Sequence, residues 1–132
     1  MREVTIVSEE LKEIEKVNSY KQLLVWQRSM DLVETVYRIT AKFPPAEQWG
    51  LISQMRRAAI SVPSNIAEGY GRQATGEYRH HLSIGRGSLL ELETQIILSG
   101  RLQYLGADET KSILAEIEEI SKMLATLISK IR

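Results

Sequence analysis

The sequence predicts an all-α protein, an up-down-up-down four-helix bundle. Three observations lead there. Apolar residues recur at spacings of three and four through most of the chain, the period of a helix with one buried face. Strand-like alternation is confined to a short VTIV stretch at 4–7. The three prolines and eight glycines mark most of the turns, so long helices are joined by short connections, as in antiparallel bundle neighbours.

The first helix is predicted over Tyr20–Lys42, with a face made by Leu23, Trp26, Met30, Val33 and Tyr37 and widened by Leu32, Val36 and Ile39. Pro44 disfavours helical geometry at Phe43, and Pro45 is suited to start the next helix. That second helix is predicted from about Ala46 to Tyr70. Its core side, Ile52, Met55, Ala59, Val62 and Ile66, is thin. Pro63 removes the amide that would bond to the Ala59 carbonyl and is expected to bend the helix rather than end it. Asn65 and Glu68 either cap a new turn there or form a hydrogen-bonding pair at the bend or an interface.

The third helix is predicted from Thr75, as N-cap, to about Leu105. Glu77 lies near its positive end, and Tyr78, Leu82, Leu89, Leu92 and Ile96 form its apolar face. Asp108 is the expected N-cap of the fourth, whose Ile113, Ile117, Ile120, Leu124, Leu127 and Ile131 form a heptad seam. Residues 1–19 are read as an N-terminal arm or short extra helix, and residues 20–132 as the bundle.

A chain of 132 residues suits one domain with one core. The absence of cysteine excludes a disulfide framework and thiolate chemistry and fits a reducing cytoplasm, the expected location. The N-terminus does not read as a signal peptide, and no run approaches ~18 consecutive apolar residues, so no membrane partner is expected. A net charge of zero argues against a uniformly basic nucleic-acid binder. The distribution is uneven: residues 53–88 hold five arginines against Glu68 and Glu77, an excess of three positive charges. Residues 1–19 and 89–132 each carry an excess of two negative charges.

Within the second helix Gln54, Arg57, Ser61, Asn65 and Glu68 share one face. They read first as a structural polar network or subunit interface, with Glu91 as an acidic partner across from them, and second as a ligand surface. Arg56 and Arg57 point about 100° apart, so they serve different partners. One is expected to reach an acidic helix at Glu91 or Glu93, the other solvent or phosphate, both tasks suited to a planar guanidinium. Glu77 and His80 match half of a di-iron bundle motif, but the second copy is missing. GRGS at 85–88 lacks the phosphate-loop pattern; Ser83, Gly85 and Gly87 read instead as places where another helix comes close. No catalytic constellation, metal set or cofactor fingerprint is legible. Trp26 and Trp49 read as core or interface anchors rather than base-stacking platforms.

The stretches LLVWQRSMDLV at 23–33, FP at 43–44, GLISQMRRAAISVPSNIAEG at 50–69 and LSIGRGSLLELETQI at 82–96 together resemble the 23S rRNA intervening-sequence protein family, from Tyr20 onward. The resemblance implies a four-helix bundle assembled as a homopentamer. It also implies a distant relation to the accessory proteins of diversity-generating retroelements, which are thought to bind nucleic acid and a reverse transcriptase. The chain departs from the family in its arm, at His81, where an aromatic residue is common, and at Gly85, where alanine is common.

The expected function is therefore a non-enzymatic, oligomeric helical scaffold that binds nucleic acid, in particular RNA. Arg72, Arg79 and Arg86, at steps of seven, are the expected phosphate contacts, with Arg56 next. They share a face only if the third helix begins early enough to include Arg72. Five copies of the basic segment facing one way would concentrate about +15 of charge. The alternative is a scaffold for a partner protein with no nucleic-acid function.

Overall fold

The computed structural model describes residues 19–131; the arm reading, including VTIV, lies outside them apart from Ser19. A short 3-10 turn, Tyr20–Gln22, leads into α1, Leu24–Thr40. The remaining α-helices are α2, Ser53–Tyr70, α3, Thr75–Arg101, and α4, Ala107–Lys130. There is no strand among the described residues. The most extensive packing is between α2 and α3; α3 also packs on α4, α1 on α2, and α4 returns to α1. No helix among the described residues is long and apolar enough to cross a membrane.

The core draws on all four helices. The heptad seam of α4 and its last member Ile131 are buried, as are Tyr78, Leu82, Leu89, Leu92 and Ile96 of α3 and Met55, Ala59, Val62 and Ile66 of α2. In α1 the buried face centres on the widening residues Leu32, Val36 and Ile39 of the expected stripe, with Leu23 just ahead of the helix buried too. Val25, Ser29, Leu32, Val36, Ile39 and Thr40 point inward, whereas Met30 and Tyr37 stay exposed and Trp26 and Val33 are half-buried. Two polar residues of α1 enter the core because each hydroxyl is satisfied locally: Ser29 Oγ donates to the Val25 carbonyl and Thr40 Oγ1 to the Val36 carbonyl, both at 2.7 Å. Burial of a hydroxyl is tolerated on that condition, so hydropathy alone does not centre the stripe.

The second helix begins later than Ala46. Pro45–Glu47 form a 3-10 turn and Gln48–Ile52 a π turn, interrupted by Gly50 at φ −111°, ψ −106°. The Glu47 carboxylate caps this entry by accepting from the Leu51 amide at 3.2 Å and from the Tyr104 hydroxyl at 2.9 Å. The main-chain break thus falls at Gly50, while α2 runs on through the buried Pro63 as one helix. A Cβ at Gly50 would sit 3.2 Å from Glu47 Oε1, so glycine also makes room for the cap.

The other ends differ in detail. The N-caps are Ala74 for α3 and Gly106 for α4, neither with a side-chain bond, so Thr75 and Asp108 lie inside the first turns instead. α3 stops at Arg101, four residues early. Tyr104 N bonds to the Ser99 carbonyl and Gln103 N to the Gly100 carbonyl, with Gln103 at φ 64°. This is the paired-bond ending of a Schellman motif, with glutamine in the left-handed position glycine usually holds.

The Tyr78 hydroxyl is buried without a hydrogen-bond partner. Its ring lies edge-on to Tyr70 at 6.1 Å, and burial, then the neighbouring Tyr70, pushes its pKa up to about 12. An unsatisfied buried hydroxyl costs about 1–3 kcal/mol. Tyr78→Phe is therefore expected to stabilise the fold by about 1 kcal/mol in chemical denaturation. The unfolded phenol ionises near its ordinary value of 10 and the folded one near 12, so the wild type should lose stability as pH rises through that window. The variant should not show that loss.

Candidate nucleic-acid interface

The arginines of the basic segment divide by what holds them. Arg56, on the first turn of α2, reaches back to the end of α1. Its Nε donates to Thr40 Oγ1 at 2.9 Å, its Nη2 to the Tyr37 carbonyl at 3.3 Å, and its guanidinium lies 4.3 Å from the Tyr37 ring centroid. It ties α2 to the carbonyl end of α1, favourable for a cation, and it is not paired with Glu91 or Glu93, the acidic partners expected for one of the two arginines. Arg79 binds the Ile131 carbonyl through Nη2 at 2.9 Å and Nε at 3.3 Å, closing the C-terminal end of α4. Arg72 lies before α3 begins at Thr75, so the condition for a shared face with Arg79 and Arg86 is not met. It pairs with Glu68 at 2.8 Å and Glu77 at 3.7 Å. Arg86, exposed on α3, and Arg57, exposed on α2, have no hydrogen-bond or ion-pair partner among the described residues.

The polar stripe of α2 divides too. Ser61 and Asn65 form a network with α3. The Asn65 amide nitrogen donates to the Ser61 carbonyl at 2.9 Å and to Ser61 Oγ at 3.0 Å. Its Oδ1 therefore faces His81 Nδ1, 3.0 Å away, and accepts from the ring N–H. Ser88 Oγ donates to Ser61 Oγ at 2.8 Å. His81 and Ser88 are the members that sequence reasoning missed; the tolerance of an aromatic at position 81 hid the polar role. Glu68 turns to Arg72 rather than Asn65, Glu91 accepts from Gln95 at 3.4 Å, and Gln54 is exposed.

Three glycines behave differently. Gly85 is buried, with Val62 O and Asn65 Cβ 3.6–3.7 Å from where its Cβ would be, and so marks a close approach of α2. Gly87 faces open space, contrary to the packing role expected for it. At Gly69 the space is tighter than at Gly85, with His81 Cβ 2.9 Å from where a Cβ would be. Among the described residues, no three histidine, aspartate or glutamate side chains come together as a metal set. Glu77 rests on Arg72, and His80 lies edge-on to His81 at 5.9 Å.

One open groove lies between α1 and the entry of α2. It has a volume of about 420 Å³ and is lined by Tyr37, Trp49, Ile52, Arg56, Arg57 and Ile60, among others. Trp49, on the π turn, is 86% exposed; it is no part of the core, unlike the half-buried Trp26, which packs on it edge-on to Tyr20 at 5.3 Å.

Helices that pack in chain order and close from α4 to α1, with the central pair joined by half-buried polar bonds, define a small all-helical protein of four packed helices. A model of the family described as 23S rRNA-intervening sequence protein matches residues 21–126, and the chain belongs to that family. Among solved structures it is similar to a protein with unknown function from the S23 ribosomal protein family of Bacteroides thetaiotaomicron VPI-5482. The TM-score is 0.73 at 22% identity, covering 81% of this chain and 100% of that one. That likeness shows the fold. No curated protein matches the chain. Neither description names a reaction.

Proposed function

We propose that the chain is a non-enzymatic scaffold, a homopentamer of up-down-up-down bundles, that binds RNA through basic residues of α2 and α3. The observation that carries this reading is the pair of exposed arginines without anionic partners, Arg57 and Arg86, inside a segment with a three-charge excess. Oligomerisation multiplies such a patch without changing net charge, and a field of one sign steers a polyanion. Arg56 and Arg79 contribute to that field while holding helix ends, since a guanidinium keeps its charge when hydrogen-bonded, whereas the charge of Arg72 is offset by Glu68 and Glu77.

Labelled RNA titrated at about 50 and about 200 mM salt tests the reading. Phosphate contacts predict an affinity that falls steeply with salt, and Arg57→Ala with Arg86→Ala should lower the slope by about two per protomer engaged. No binding at low salt overturns RNA binding, and light scattering that finds a monomer across a wide concentration range overturns the pentamer.

The protein-scaffold reading draws on a separate observation. Ile84, Leu90, Ile97 and Leu98 leave α3 with exposed apolar side chains, Leu90 at 58%, and Leu102 just past its end is exposed as well. Apolar surface of this kind suits subunit or partner contacts.

A further inference from the structure

The groove beside Trp49 combines features that point to a ligand. The indole is the most exposed of the large apolar side chains among the described residues. It stands on a turn whose geometry breaks at Gly50 and is anchored by the Glu47 cap, so it is presented by the main chain rather than left over from packing. The apolar wall is Ile52, Ile60 and Tyr37, and the charges lining the groove are Arg56 and Arg57. Arg56 spends its Nε–H and one Nη2–H on α1, leaving three of its five N–H groups on a guanidinium already held in place. The volume falls in the range of small-ligand sites.

We propose that this groove is a stacking site for single-stranded RNA, in which Trp49 takes one unpaired base on its face while Arg57, with Arg56 beside it, takes the adjoining phosphates. The proposal rests on the RNA-binding reading and adds its site and strand state. An indole flanked by cations is complementary to a base flanked by phosphates: every base has a π-face, so stacking is tolerant of sequence, and arginine adds charge complementarity. A duplex keeps its bases paired and stacked, so it offers the indole no free face.

The test uses the full chain with Trp26→Phe, so that Trp49 is the remaining indole. An oligouridylate strand and an RNA duplex of equal length are titrated while tryptophan fluorescence and anisotropy of the labelled RNA are followed. Saturable quenching by the single strand and not by the duplex is expected. Trp49→Ala should weaken single-strand binding about tenfold and Trp49→Phe far less, while Arg57→Ala lowers the salt slope by about one. RNA that binds with Trp49 unquenched and with Trp49→Ala unaffected overturns this site and leaves RNA binding standing. No binding of either RNA overturns both. Trp49 emission that shifts with protein concentration in the absence of RNA, together with smaller assemblies of Trp49→Ala, assigns the groove to a second copy of the chain and overturns the proposal.

Discussion

Replacing Gly69 with valine is expected to destabilise the protein by about 3 kcal/mol, measured by denaturant unfolding. Helix propensity alone predicts the opposite sign, since glycine inside a helix is up to about 1 kcal/mol worse than alanine and somewhat worse than valine, and Gly69 still lies within α2, next to its last residue. Packing decides the sign. The first added carbon meets His81 Cβ at 2.9 Å, Tyr78 Cδ1 at 3.0 Å and the Tyr78 carbonyl oxygen at 3.2 Å. His81 Cβ and the Tyr78 carbonyl are fixed to the main chain and the Tyr78 ring is buried, so α2 and α3 must move apart, straining the nearby Asn65–His81 bond. Gly87→Ala is the control. It meets nothing within 4 Å on an exposed face of α3 and should stabilise by about 1 kcal/mol. Equal signs for the two glycines would contradict the close approach at Gly69.

Leu92→Ala is expected to cost about 3 kcal/mol and to lower the unfolding midpoint without changing the denaturant slope. Leu92 is fully buried in the middle of α3, the helix that packs against both α2 and α4. Truncation there loses transfer energy and leaves a cavity that three packed helices cannot easily close. Leu90, two residues away on the same helix, is largely exposed, and Leu90→Ala should change the stability of a single chain by less than about 0.5 kcal/mol. A larger loss at Leu90 would mean that the side chain is covered in solution, as subunit contact in a pentamer would require.

Helical content, the α4 seam and the α3 core face were all legible, because each rests on periodicity of large apolar groups, a property local to one helix. The α1 face was legible in part: Leu23, Leu32, Val36 and Ile39 are buried as expected, but Met30 and Tyr37 are not. Ser29 and Thr40 join the buried side instead, because their hydroxyls find main-chain acceptors once the helix has formed. The polar stripe of α2 was legible as a set of positions, but its bonds were not, since Ser61 and Asn65 take partners from α3.

The arginines show the same division. The sequence by itself determined that residues 53–88 carry an excess of positive charge and that Arg56 and Arg57 leave α2 in different directions. Only the tertiary structure decided that Arg56 and Arg79 close the ends of α1 and α4, that Arg72 folds onto Glu68, and that Arg57 and Arg86 remain open to solvent. It also decided that Trp49 stands outside the core. The physical reason is range. Periodicity and charge count are fixed within a few residues of chain, whereas the partner of a long, flexible cation and the burial of an aromatic on a turn depend on which distant helix end arrives beside it.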